Sequence, residues 1–169
     1  YNQFAGDSQL KVYDTASDSW SRAAALPIGN GARMAAANSR LYVFGGEGKN
    51  GATFEYNPSA NQWTPKTAMP TPRSFTNALT IDGRVYVVAG IVESAGGQRS
   101  RSVEVYDPAT DSWTTGLAGM RDARVANAAV TYLGKIYVMG GNTGGLGDDR
   151  LSSVEEYDPA TGRWTVKNP

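Results

Sequence analysis

The chain has 169 residues, 40% of them hydrophobic and 19% charged, with sixteen basic residues balancing sixteen acidic ones and neither cysteine nor histidine. This is the composition of one ordinary folded, soluble domain, and its charge balance supplies no broad field for nucleic acid or an anionic membrane. The two absences exclude disulfides, thiolate catalysis and iron–sulfur ligation, and remove the commonest general base and transition-metal ligand.

In chain order, the first unit opens with a worn strand at Phe4-Ala5-Gly6, followed by an alternating run at residues 10–13 and then Trp20. The second unit has apolar runs at residues 34–37 and 41–44 joined by Asn38-Ser39, then Gly45-Gly46, a strand at 53–56 and Trp63. The third has runs at 75–80 and 85–88 joined by Asp82-Gly83, a strong two-residue hairpin signal, then Ala89-Gly90, a strand at 102–106 and Trp113. The fourth repeats this with 125–131, Leu133-Gly134, 135–139, Gly140-Gly141, 153–157 and Trp164. The units are read as four-stranded antiparallel meanders, A to D, with strand A missing from the first.

The aromatic spacing is constant. Tyr13 and Trp20, Tyr56 and Trp63, Tyr106 and Trp113, and Tyr157 and Trp164 are each seven residues apart, while successive tryptophans are separated by 43, 50 and 51 residues. A period of that length belongs to blade-type repeats. The Tyr-Asp-Pro turn opens strand D, and the glycine pairs permit positive φ and close approach of a neighbour. Tyr and Trp are expected to fill the space between blades.

An apolar strand ending in a Gly pair, then a Tyr, then a Trp at fixed distance resembles the kelch repeat family, over nearly the whole chain. The resemblance implies an all-β fold, a kelch-type β-propeller, with three complete blades and one partial blade at approximately residues 1–26, 27–70, 71–120 and 121–169. Kelch resemblance implies six or seven blades in the closed ring, so the chain is expected to be a portion of a larger propeller. Its open flanks would meet the remaining blades or another copy of the chain. The missing Met start points to an excised segment, and cytoplasmic and secreted locations both remain open.

In such a meander the A–B and C–D turns share one end and the B–C and D–A loops the other. The second end carries loops of unequal length and chemistry on a rigid scaffold, which makes it the candidate binding face. Arg73 and Arg124 stand in matching registers, thirteen residues before Tyr86 and Tyr137, and Arg33 stands nine residues before Tyr42. Kelch modules that bind acidic peptides resemble this arrangement, with arginines at the channel mouth forking carboxylates. The competing reading is that each arginine caps a turn or pairs with a local carboxylate such as Asp122. Glu47, Ile91 and Asn142 directly follow the small-residue pairs and are expected to face the channel.

Asp148-Asp149-Arg150 lacks the spaced oxygen ligands of a calcium loop. The glycine-rich stretches 95–97 and 144–147 lack the Gly-Lys-Ser/Thr and helix of a phosphate loop, and read as connectors. The expected function is a non-catalytic binding module for protein or peptide, an acidic one in particular, with no metal, cofactor, nucleic-acid or membrane-inserting role. The alternative is a sugar-binding or sialic-acid-mutarotase-like protein, in which Arg73 or Arg124 would hold a carboxylate and Glu47 would move the proton. A galactose-oxidase-like copper site has no Cys or His to build it.

Overall fold

The computed structural model describes residues 9–144 and 149–168; the proposed strand at Phe4-Ala5-Gly6 and the loop residues Gly145, Leu146, Gly147 and Asp148 lie outside them. The first unit supplies β1 (Leu10–Asp14) and β2 (Ser19–Ala23), the second β3 (Arg33–Ala37), β4 (Arg40–Phe44), β5 (Thr53–Asn57) and β6 (Gln62–Lys66). The third supplies β7 (Arg73–Ser74), β8 (Asn77–Ile81), β9 (Arg84–Val88), β10 (Ile91–Val92), a 3-10 turn at Glu93–Ala95, β11 (Gln98–Arg99), β12 (Val103–Asp107) and β13 (Ser112–Thr114). The fourth supplies β14 (Ala128–Tyr132), β15 (Lys135–Met139), β16 (Val154–Asp158) and β17 (Arg163–Lys167).

Three antiparallel four-stranded meanders result among the described residues, β3-β4-β5-β6, β8-β9-β12-β13 and β14-β15-β16-β17, beside the two-stranded β1-β2. The A–B hairpins close with both central residues left-handed, at Asn38 and Ser39, Asp82 and Gly83, and Leu133 and Gly134. That is the turn whose twist matches the flanking strands. The A strands of adjacent blades touch one another, and Thr80 donates its hydroxyl to Ala36 O at 2.7 Å across that contact.

Two elements differ from the sequence reading. Strand A begins at Asn77 and Ala128 instead of residues 75 and 125, because Phe75 (φ 52°) and Ala126 (φ 54°) take left-handed backbone and break the extended run. The freed entry segment β7 pairs instead with β10, and β10 pairs with β11, forming a small extra sheet. Residues 95–97, expected as a connector, lie at the turn of that hairpin, where Gly97 N–H donates to Val92 O at 3.2 Å. The fourth blade keeps a trace of the same device in the bridges Val125–Asn142 and Asn142–Arg150.

The core lies between blades, as stacked sheets with two apolar faces require. Tyr42 and Phe44 of the second blade pack on Val85, Val87 and Tyr106 of the third; Tyr86, Val88 and Val105 of the third pack on Ile136, Val138 and Tyr157 of the fourth. At the rim the repeated Tyr and Trp rings sit 5.0 to 5.2 Å apart in all four units. The Trp indole then reaches across to the preceding blade: Trp63 donates to Ala24 O (3.0 Å), Trp113 to Thr67 O (2.9 Å) and Trp164 to Ala118 O (2.8 Å).

A second arm completes this joint. Asn61 Oδ1 accepts from both the Tyr56 hydroxyl (2.9 Å) and Ala24 N–H (2.7 Å), and Asp111 Oδ1 accepts from the Tyr106 hydroxyl (2.7 Å) and Thr67 N–H (3.0 Å). One residue of each of the first two blades, Ala24 and Thr67, is thus held at both its N–H and its C=O by the next blade. Burial, followed by the bond to Asp111, pushes the Tyr106 pKa up. Burial alone would raise that of Asp111, but the bonds from Tyr106 and Thr67 and the nearby Lys66 outweigh it and leave it lowered.

Candidate functional site

The loop end is shaped by the small-residue pairs that close strand B. All six positions have positive φ, including Ala89 at 60°. The second position admits only glycine: a Cβ on Gly90 would lie 2.7 Å from Ser74 O and one on Gly141 2.6 Å from Val125 O. The first position is different, since a Cβ on Gly140 meets nothing nearer than 3.6 Å whereas one on Gly45 would lie 2.0 Å from Arg73 O. Alanine therefore fits at position 89 in place of the usual glycine, at the cost of left-handed backbone.

Arg73 and Arg124 turn inward. Each is at most 1% exposed. Arg73 Nη2 pairs with Glu104 at 2.8 Å, and its Nη1 donates to Ala89 O (3.2 Å) and to the Ser102 hydroxyl (2.6 Å). Arg124 pairs with Glu155, lies 3.8 Å from Asp122, and donates to Gly140 O (3.1 Å) and the Ser153 hydroxyl (3.1 Å). The partner carboxylates also hold the D–A loops, with Glu104 accepting from the Thr71 hydroxyl (2.7 Å) and Glu155 from Arg121 N–H (2.7 Å). Burial lowers the Arg73 pKa against the opposing pull of Glu104, and a guanidinium stays charged through such a shift.

The expectation that these two arginines ring the channel mouth and fork a partner's carboxylates is corrected by this geometry. Their Nη donors are engaged by carbonyls, hydroxyls and glutamates around them, and although each Nε is left without a partner it is buried with the rest of the guanidinium, away from any ligand at the surface. The local-carboxylate reading describes them, although the dominant partners are Glu104 and Glu155 and only secondarily Asp122. The sequence holds a signal for this. Both units with the arginine carry Glu two residues before the strand-C Tyr, and the second unit, with Gly29 in the arginine register, has Phe54 there.

Arg33 occupies another place. It pairs with Phe44 as Asn77 pairs with Val88 and Ala128 with Met139, so it opens the innermost strand of its blade. It is exposed, its Nη1 donates to its neighbour Ala32 O at 2.9 Å, and no carboxylate among the described residues pairs with it. Glu47 is exposed as well. Its N–H donates to Asn30 O at 2.9 Å and its carboxylate accepts from the Asn30 amide at 3.3 Å. Asn142 is half-buried and exchanges main-chain bonds with Val125 at 3.0 and 3.1 Å, as Ile91 pairs with Ser74.

Residues unread from the sequence also converge on this end. Glu93, on the 3-10 turn of the extra hairpin, reaches the second blade and accepts from Gly48 N–H at 3.1 Å. Main-chain bonds carry the rest of the contact between neighbouring loops: Met69 N–H to Gly51 O (2.8 Å), Phe75 N–H to Gly31 O (2.7 Å) and Gly90 N–H to Arg124 O (3.1 Å). Charges of both signs are present, Arg33 with Glu47 and Glu93. Among the described residues no acidic cluster is placed to hold a metal ion, and no helix is long and apolar enough to cross a membrane.

A family model described as the KLHDC2/KLHL20/DRC7 Kelch-repeats domain matches residues 2–169. The chain belongs to the kelch-repeat family. Kelch-like protein 35 of Mus musculus is 29% identical over 160 residues, covering 91% of this chain and 26% of that protein. Kelch-like protein 25 of Xenopus tropicalis is 33% identical over 139 residues, covering 76% and 23%. Beta-scruin of Limulus polyphemus is 35% identical over 121 residues, covering 69% and 13%. The chain thus spans about a quarter or less of the length of these kelch relatives. The solved structure of YjhT overlays with a TM-score of 0.82 at 22% identity, covering 96% of this chain and 59% of that one, which shows a shared kelch-type propeller fold.

Proposed function

We propose that the chain forms part of a kelch propeller that binds a protein or peptide, non-catalytically, through its loop end. The observation that carries this reading is the state of Arg33: an exposed guanidinium at the mouth of an innermost strand, with no carboxylate among the described residues paired to it. Charged groups that make a blade rigid are paired inside it, as Arg73 and Arg124 are. A charge left open on a fixed scaffold suits recognition. Arg33, Glu47 and Asn142 are the proposed contacts; Arg73 and Arg124 hold the surrounding loops from beneath. An acidic segment is the favoured partner, engaging Arg33 while Glu47 and Glu93 restrict the register of binding by repulsion.

The sugar-site alternative assigns Arg73 or Arg124 to a carboxylate and Glu47 to proton transfer. With both guanidiniums enclosed by their own blades, Glu47 has neither beside it as a ligand clamp, and no specific observation favours that reading. The test is an array of acidic and neutral peptides of equal length, probed with the wild-type chain and with Arg33→Ala. Acidic peptides should be preferred, the preference should fall with added salt, and the variant should bind them about tenfold more weakly, the worth of one charge-assisted hydrogen bond. Equal capture of both peptide sets, unchanged in the variant, removes Arg33 from the interface.

A further inference from the structure

The joint between the third and fourth blades lacks two groups that the joint before it has. In the second blade the Tyr42 hydroxyl donates to its cross-strand partner Glu55 at 3.3 Å, whereas in the third Tyr86 stands opposite Val105. The Tyr56 and Tyr106 hydroxyls are each taken by an Asx oxygen, whereas Tyr157 has Gly162 in that place. Tyr86 is only 8% and Tyr157 only 2% exposed, yet no acceptor among the described residues takes either hydroxyl. Ala118 N–H, the counterpart of the Ala24 and Thr67 N–H groups, likewise has no acceptor there.

These vacancies meet in one cleft. The Tyr86 and Tyr157 rings lie 6.2 Å apart at 57°, and with Arg84, Val105, Leu117 and Pro159 they line a cavity of about 230 Å³ beside the A–B and C–D turns. The cleft lies between two blades that are both within this chain, at the end opposite the loops. Its volume suits a small molecule. A buried donor without an acceptor costs free energy that a ligand oxygen recovers.

The closed joints show which oxygen belongs here. Where the residue three after the preceding Trp is Lys66, the Asx is the carboxylate Asp111, and that lysine helps to hold it charged. Where the same position is Ala23, the Asx is the uncharged Asn61. In the third blade the position is Gly116, so no cation stands ready for an anion. Arg84 is engaged by Asp107 at 3.0 Å, and Asp82 and Asp158 act on the two phenols. An uncharged carboxamide fits these surroundings, and a carboxylate is repelled by them.

We propose that this cleft binds a small ligand carrying a primary carboxamide on an apolar body. The amide oxygen takes the missing Asx place and accepts from the Tyr157 hydroxyl and Ala118 N–H. The amide NH2 donates to the Tyr86 hydroxyl, whose oxygen has lone pairs free to accept. The body packs on Val105, Leu117 and Pro159. The site uses neither Arg33 nor the loops, so it is independent of the peptide-binding reading.

Titration of benzamide into the isotope-labelled chain, followed by NMR, tests it. The Ala118 amide should shift and saturate with benzamide, and benzoate should bind at least about tenfold more weakly, since its charge has no cation to meet. Gly162→Asn fills the place with the chain's own carboxamide and should abolish the saturable shift. Tyr157→Phe keeps the ring, removes a hydroxyl that has no partner in the free chain, and should weaken benzamide about fivefold. Unfolding midpoints at or above that of wild type show that loss of binding in these variants is not loss of fold. No saturable shift at Ala118 in the wild type, benzoate binding as tightly as benzamide, or undiminished benzamide binding in either variant each overturns the proposal.

Discussion

The rim and the loop end of the blades are held in opposite ways. At the rim, side chains cross between blades: the Trp indole and the Asx carboxamide or carboxylate of one blade grip the C=O and the N–H of a single residue of its neighbour. At the loop end, the buried side-chain ties stay within a blade, where Arg73 and Arg124 bind carbonyls, hydroxyls and glutamates of their own units, and the crossings between neighbours are main-chain bonds together with the exposed Glu93 to Gly48 contact. Main-chain bonds make few demands on residue type. A blade can therefore change its loop-end residues without losing its joint to the next, and the second blade does so, with Gly29 and Phe54 in place of the arginine and glutamate.

The largest expected effect breaks the loop end of one blade. Glu104→Ala leaves the Arg73 guanidinium buried without its carboxylate, which should cost about 3–5 kcal/mol in urea unfolding. The double variant Arg73→Met/Glu104→Leu removes both charges at similar volume, as the second blade has done by its own route, and should recover most of that loss. If the double variant is as unstable as the single one, the pair is not a replaceable internal tie and the contrast with the rim fails.

Much of this was legible beforehand, for a physical reason. The fold is fixed by features that recur from blade to blade: the small-residue pair and the two-residue hairpin of the three complete blades, and the Tyr and Trp seven apart in all four units, each serve a joint that is repeated. Strand A was misplaced at both Phe75 and Ala126 because neither glycine nor proline marks their left-handed backbone. The extra sheet of β7, β10 and β11 was missed for a related reason, since two-residue strands carry no periodicity. Arg73 and Arg124 were matched in register, but matching identified a common structural role, not a common surface. Arg33, whose register differed, is the one the structure leaves open. The Glu that accompanies each buried arginine was the signal that separates the two.

The next effect compares a closed joint with an open one. Trp113 is half-buried and holds Thr67 O, so Trp113→Ala should cost about 2–3 kcal/mol, below the ~3–5 expected for a fully buried tryptophan. Trp20→Ala makes the same chemical change where no neighbour is gripped. It should shift the stability of the single chain by no more than about 0.5 kcal/mol. Equal losses at the two sites would mean that the ring contact with its own Tyr, common to both, carries the energy and the cross-blade bond contributes little.

The smallest effect repairs a joint. Between the third and fourth blades the Asx position is Gly162 (φ 66°), so Trp164 grips Ala118 O without the second arm that Asn61 and Asp111 supply elsewhere. A Cβ on Gly162 would meet nothing within 4 Å, and asparagine tolerates left-handed backbone better than other side-chain-bearing residues. Gly162→Asn places an acceptor where the Tyr157 hydroxyl and Ala118 N–H would both reach it. Two gains follow, a restored hydrogen bond of about 1 kcal/mol and a less flexible unfolded chain worth about 0.4–1 kcal/mol, set against the left-handed backbone that asparagine must adopt. Net stabilisation of about 0.5–1 kcal/mol is expected. Gly162→Ala is the control, because it meets the backbone cost without the acceptor and should destabilise. Should the two variants behave alike, the Asx arm is ornamental and the rim joint rests on tryptophan alone.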